Sequence, residues 1–372
     1  MKRNVSPAIA LSWLGFAAGL VTGTTHLVDD FDGQALARPL SQKDLRVLSH
    51  LSLVRLSDGA GGSSPTVRVS GANLQIVDGS GATNGNPLDP LGNSPEVTST
   101  SGRGNLVIGY NELGAAPERT GSHNLVLGAQ NDHASFGGWV GGFQNRIDAV
   151  GAVASGGRGN HASDYFATVN GGELNVAGEN ESSVLGGSSG EALGNNSSVL
   201  GGRLNQVTGA HATVGGGLNN RTMGTHASIL GGAKSAASGT EAAVIGGRVN
   251  SAPGNNATTM GGSRNLATGT NASVVGGTEN TASDTNASVS GGRLNVATQN
   301  EASVTGGSYN EANGNNSTVT GGNRNQANGT NSSVSGGRQN VAGGTNASVS
   351  GGSSREANGL DDWSAASYWS GS

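Results

Sequence analysis

The pair Gly-Gly returns every 15 residues, without a slip, from Gly141-Gly142 to Gly351-Gly352, at fifteen consecutive sites in one register. A period this strict marks each 15-residue unit as one turn of a wound chain, stacked on the next. Such a chain builds a long, repetitive surface rather than an enclosed pocket. A binding or structural role therefore fits it better than catalysis.

Composition reinforces the point. The chain has 372 residues, of which 67 are Gly, with 33% hydrophobic and 3% aromatic residues. No Phe, Trp or Tyr occurs between Ala167 and Ser308. High Gly with few large apolar side chains is also a signature of disorder, but disorder does not need valine at a fixed place in every unit. The net charge of −5, with mixed signs, gives no nucleic-acid footprint. The absence of cysteine excludes disulfides and Cys-ligated metals. It leaves export open, because a stacked β structure needs no covalent staples.

Residues 1–24 read as an export signal. Lys2 and Arg3 precede a largely apolar run from Val5 to Val21, and Ala17, Ala18, Gly19 and Gly23 are small enough for a cleavage site. The alternative is an uncleaved anchor, but the run is short for a bilayer span of about 20 residues. The expected location is secreted or on a cell surface.

Residues 25–100 differ from the repeats. Ser41-Gln-Lys-Asp44 looks like a capped helix start, with Leu45, Val47, Leu48, Leu51 and Val54 following at helical spacing. Leu40, Val47 and Val54 lie seven apart, which suits either a self-associating helix or an amphipathic helix resting on the repeats. Thr66–Ser70 and Asn73–Val77 flank Gly71-Ala72 and predict a hairpin. Residues 78–100 are rich in Gly, Asn, Pro and Ser and read as a linker. The winding is expected over 101–359, from Asn105-Leu-Val-Ile-Gly109 and Asn124-Leu-Val-Leu-Gly128 onward. Trp139, Phe143, Tyr165 and Phe166 are placed to close its first coils, and residues 360–372, with Trp363, Tyr368 and Trp369, form a tail or opposite cap.

Within a unit, let the first Gly of the pair be position 1. Position 5 is Asn in twelve of fifteen units and position 7 is Ala in twelve. Position 12 is Ala or Ser in all fourteen complete intervals, and position 14 is Val or Ile in twelve. Small or apolar residues thus fall at 12, 14 and 1, and again around 5, 7 and 9. Period-two alternation is the mark of a strand with one buried face. Each coil then has two short strands joined by Gly/Asn corners, giving an all-β, parallel β-roll or β-solenoid behind a short helix and hairpin region. One Val and a few Ala bury too little surface to order a lone coil, so stacking must supply the rest through paired backbone groups and a ladder of Asn amides. The poor core makes a second buried surface, between chains, an expectation.

Units such as Ala272-Ser-Val-Val-Gly-Gly277 with Asn280-Thr-Ala282, and Ser332-Ser-Val-Ser-Gly-Gly337 with Asn340-Val-Ala-Gly343, resemble the head repeats of trimeric autotransporter adhesins, the YadA-like head family. The resemblance covers roughly residues 105–359. It implies a left-handed parallel roll, three chains side by side, and adhesion to host or matrix molecules. The unit here, at 15 residues, is slightly longer than that family's commonest one. The family's C-terminal stalk and membrane barrel have no counterpart after Gly359, so no C-terminal membrane anchor is expected.

Positions 13 and 15 point outward by the same alternation. Position 15 carries Leu185, Leu200, Leu230, Ile245, Met260 and Val275, an apolar stripe expected to form the chain–chain interface. In a monomer the same residues would instead have to rotate inward. From Ser288 to Ser350 both positions bear hydroxyls, which suits a polar strand face or, as a minor alternative, an ice-binding face. Arg158, Arg203, Arg248, Arg293 and Arg338 all occupy position 3 at 45-residue intervals. They form either a cationic row for an anionic glycan or matrix, or a relic of three-coil duplication kept for solubility. His211 and His226 share position 11 on adjacent coils, without a third metal ligand fixed by the pattern. No acid/base pair, nucleophile arrangement or phosphate loop is found. The expected function is a non-enzymatic, cofactor-free, adhesin-like head binding matrix, host or glycan surfaces as a homo-oligomer. A purely structural extracellular spacer, coat or fibre protein is the alternative.

Overall fold

The computed structural model describes residues 25–29, 35–39, 41–57, 59, 62–94, 98–114 and 117–365. The expected export signal lies outside the described residues, as do Tyr368 and Trp369 of the tail. The chain divides into two units, residues 1–75 and 76–372.

In the first unit, β1 (Thr25–Asp29) and β2 (Ala35–Pro39) pair antiparallel. Helix α1 spans Gln42–Leu48. Ser41 starts it by a reciprocal exchange: its Oγ accepts from the Asp44 N–H at 3.1 Å, and its own N–H donates to Asp44 Oδ2 at 2.8 Å. The helix stops at Leu48, seven residues long, and none of its side chains is buried. The expected continuation through Leu51 and Val54 is therefore wrong. An isolated helix this short is marginal in water. β3 (Leu51–Ser57) instead finds a seven-residue antiparallel partner in β4 (Ser63–Val69). The same pairing overturns the hairpin expected around Gly71-Ala72. Once Leu51–Ser57 has taken that edge, Asn73–Val77 carries no strand.

In the second unit, residues 78–94 are a run of turns held by internal bonds. Asn84, 1% exposed, donates Nδ2 to the carbonyls of Asp89 and Gly92, both at 2.7 Å. Winding begins where the Asn-Leu-Val motifs predicted. β5 (Leu106–Ile108), β6 (Leu125–Ala129) and β8 (Trp139–Phe143) stack in parallel, with β7 (Asp132–His133) following β6. From there the coils repeat at the 15-residue period to Trp363–Ser364, as parallel stacked coils of a β-solenoid.

Positions 13–14 form one parallel ladder of 18 strands, running from Leu106–Ile108 to Trp363–Ser364, and positions 6–7 form a second of 16. The two expected strands per coil are joined by a third contact that the sequence reading lacked. Position 3 pairs with position 3 through single parallel bridges, from Phe143↔Arg158 to Arg338↔Ser353.

The interior is narrow, as the composition requires. Ala at 7, Ala at 12 and Val or Ile at 14 are at most 1% exposed, for example Ala282, Ala287 and Val289 at 0%. Position 5 adds a polar spine. Asn295 Oδ1 accepts the N–H of Asn310 one coil on at 3.0 Å, while its Nδ2 donates to Gly291 O at 2.8 Å and Gly307 O at 3.1 Å. The ladder therefore runs from side chain to backbone rather than amide to amide, and it satisfies backbone groups at a corner that no strand can reach.

The two glycines of the pair differ. At position 2 the backbone is left-handed, and a Cβ would strike the next coil: at Gly292 φ is +85° and the added carbon would lie 2.2 Å from the Gly307 carbonyl oxygen. At position 1 a Cβ would meet nothing within 4 Å in most coils, Gly306 among them. Position 1 thus faces outward, contrary to its expected place among the inward residues. The large rings also depart from expectation. Trp139, Phe143 and Phe166 are 40%, 40% and 52% exposed and do not close the end of the stack. They fall at positions 13, 3 and 11, which alternation turns outward, while Val140 and Ile147 take the inward places.

Candidate interaction surfaces

Position 15 immediately follows the buried Val or Ile and points the other way. Leu185, Leu200, Leu230, Ile245, Met260 and Val275 are 51%, 48%, 64%, 42%, 37% and 42% exposed, so they do not rotate into the core. That interior is already filled by the position-14 side chains. The six lie along one ladder, with Ile245 paired to Met260, and Gly215 interrupts the apolar row once. Directly beyond them runs the bare position-1 glycine row. The structure of one chain thus leaves a straight apolar stripe bordered by backbone with no side chains.

The hydroxyl row at position 13 is partly closed on itself. Ser183 Oγ bonds Ser198 Oγ at 3.1 Å, Ser288 bonds Ser303 at 3.2 Å, and Ser333 bonds Ser348 at 3.0 Å. These hydroxyls satisfy one another along the stack.

Arg158, Arg203, Arg248, Arg293 and Arg338 all lie exposed on the bridge row at position 3. With coils about 4.8 Å apart, they repeat every ~14 Å. Their surroundings are not uniform. Arg158 faces Glu173, one coil on, at 3.8 Å. Arg293 lies 5.8 Å from the ring centre of Tyr309, which Arg324 approaches to 5.4 Å from the following coil. Among the described residues Arg203, Arg248 and Arg338 have no ion pair. The rings of His211 and His226 stack at 5.0 Å and 8°, as their shared position implied. Among the described residues no three His, Asp or Glu side chains converge as a metal site.

The opening coils hold polar clusters that the repeat pattern does not reveal. Asp148 accepts from Arg146 Nε at 2.7 Å and lies 2.7 Å from His161 Nε2. Burial alone would raise its pKa, but the hydrogen bonds from His161 and Arg146 bring it below the usual value. No hydroxyl bonds His161, so among the described residues this is a charge cluster without a nucleophile. Asp78 accepts from the Ser80 hydroxyl at 2.6 Å, the Ser80 N–H at 2.8 Å and the Ser101 hydroxyl at 2.8 Å. These donors, with His123 nearby, hold its pKa down at about 2. His133 is 4% exposed, and burial, with the neighbouring Arg119 charge, lowers its pKa. The available sequence signal was the crowding of Arg, Asp and His between residues 103 and 161, most of it ahead of the regular register that starts at Gly141.

The chain matches no protein-family model, and no curated protein matches its sequence. Among the described residues no helix is long and apolar enough to cross a membrane.

Proposed function

We propose that this protein is an exported, non-enzymatic adhesive rod whose chains associate side by side and bind matrix, host or glycan surfaces through many repeated contacts. The observation that carries the reading is the exposed apolar row Leu185, Leu200, Leu230, Ile245, Met260 and Val275 beside the bare glycines of position 1. Glycine there lets another backbone approach closely, and burial of the row supplies the apolar contact that the thin interior lacks. Three chains, the number implied by the likeness to adhesin heads, would present three parallel arginine rows. Weak contacts repeated along and among chains then add by avidity.

The reading is tested by adhesion to immobilised matrix proteins and acidic polysaccharides, with the chain compared to a variant in which Arg203, Arg248 and Arg338 are all Ala. Adhesion that weakens with salt and falls in the variant supports it. If neither protein adheres to any surface while the chain still self-associates, the molecule is a structural spacer or fibre component instead.

A further inference from the structure

Charge is sorted across the width of the solenoid. Of the eleven Lys and Arg between Gly141 and Trp363, eight stand at positions 3 and 4. The five arginines of position 3 are joined there by Lys234, Arg264 and Arg324 at position 4, and all eight are exposed. Only Glu173 and Glu279 carry negative charge on these two rows. Positions 9–12 hold eight of the fourteen Asp and Glu of the same span and no Lys or Arg, with Glu181, Glu241 and Glu301 together in the row of position 11. The ladder of positions 6–7 separates the two sets on one side and that of positions 13–14 on the other. A chain of net charge −5 thus carries one cationic edge and one anionic corner.

Positions 3 and 4 form a single edge because the backbone ties them together. The Arg264 N–H donates to the carbonyl of Arg248, one coil back, at 2.9 Å, and the Arg324 N–H donates to Ser308 O at 3.0 Å. Side chains meet across the same step. Arg158 faces Glu173 at 3.8 Å, and Arg264 faces Glu279 at 3.1 Å. The other six cations form no ion pair among the described residues. Tyr309 lies on the coil between Arg293 and Arg324, with their guanidinium groups 5.8 and 5.4 Å from its ring centre. The ring holds both cations in line. From Arg203 to Arg338 the edge runs nine coil steps, about 43 Å at ~4.8 Å per coil.

We propose that this edge binds a linear sulfated polysaccharide laid along the solenoid axis. The assignment rests on the adhesive reading and names the partner of its arginine row, which is wider than position 3 alone. A small anion would meet one or two guanidinium groups, whereas a polymer meets them all. Cations at uneven steps suit a flexible chain whose charges lie closer together than the cations do. Sulfate groups raise that charge density above one carboxylate per repeat, and each neutralised charge releases counterions. Single-stranded nucleic acid is densely charged too, but its affinity leans on bases stacked on open rings. Tyr309 is the only Phe, Trp or Tyr between Arg203 and Arg338, and two guanidinium groups already lie over it. The anionic corner repels the polymer, so binding is confined to one edge and aligns polymer with rod.

Titration of the full chain with heparin, hyaluronan and a single-stranded oligothymidylate of similar length, at several salt concentrations, tests the proposal. Heparin should bind about tenfold or more tighter than either control, and its affinity should fall as salt rises. Arg324→Gln should weaken heparin by about threefold and reduce the slope of log K against log salt by about one. Adding Lys234→Gln should bring the loss to about tenfold. Both variants should keep the melting temperature, since Gln144 and Gln339 hold the same left-handed backbone at position 4. Arg221→Gln removes an equal charge at position 6, where Gln206 and Gln326 are native. It should leave the affinity within about twofold, being off the edge. Hyaluronan or oligothymidylate binding as tightly as heparin, or Arg221→Gln weakening heparin as much as Arg324→Gln, would overturn the proposal. Heparin binding as expected without adhesion to immobilised matrix proteins would sink only the adhesive-rod reading. Adhesion without preference for heparin would remove only this assignment.

Discussion

Glycine at position 2 and asparagine at position 5 do different work at the same corner. The glycine keeps a left-handed backbone and leaves room for the carbonyl of the next coil. The asparagine then ties that carbonyl down. Gly292→Ala should therefore lose more than about 2 kcal/mol, since both a left-handed φ and a backbone clash oppose it. Gly306→Ala, into open space, should stay within about 0.5 kcal/mol. Paired urea melts read the difference, and equal effects would contradict the corner geometry. Asn295→Ala strips the buried Asn310 N–H and the Gly291 carbonyl of their partner, while Gly307 O keeps the Arg293 N–H. It should cost at least ~2 kcal/mol, against about 1 kcal/mol for the exposed Asn316, which gives up a left-handed backbone at φ +54° that suits asparagine and a 3.3 Å bond to Asn331. At these sites sequence and structure agreed on which residue recurs. They differed on position 1, because a run of two glycines does not say which one faces the next coil.

Each coil is a weak element held by its neighbours, and the sequence was most informative where the elements repeat. The inward places of Ala at 7 and 12 and of Val at 14 follow from alternation alone, and all lie in the core. The single bridge at position 3 was invisible because one paired residue leaves no periodic trace. The first unit was harder still. Leu45–Val54 satisfied a helical spacing, but the choice between helix and strand at Leu51 rested on a partner strand twelve residues further on. Charge clusters at the start of the solenoid likewise depend on which irregular coils meet. The Asp78 cluster carries a pH dependence of known sign. Its folded pKa of about 2 lies below the ordinary 3.8, so it stabilises the folded state above pH 4 and that contribution fades as pH falls toward 2. Hydrogen exchange at residues 78–105 should accelerate over that window before the regular coils open. Asp78→Asn should remove the dependence, and an unchanged acid profile in that variant would contradict the assignment.

For the solenoid taken entire, the decisive asymmetry lies between a starved interior and an apolar exterior row. The interior holds Ala, Val and Asn, while six larger apolar side chains stand outside in line. Alternation showed that these residues point outward. It could not show what covers them, since a partner chain leaves no mark on the period of a single sequence. Leu200→Lys with Ile245→Lys places two charges in the row while leaving every buried contact in place, so it should separate association from folding. Sedimentation equilibrium of the folded protein and of this double variant decides the matter. The account predicts the mass of three chains for the unaltered protein and of one chain for the variant, both with the same β-rich circular dichroism. A single-chain mass for the unaltered protein at every concentration would contradict it.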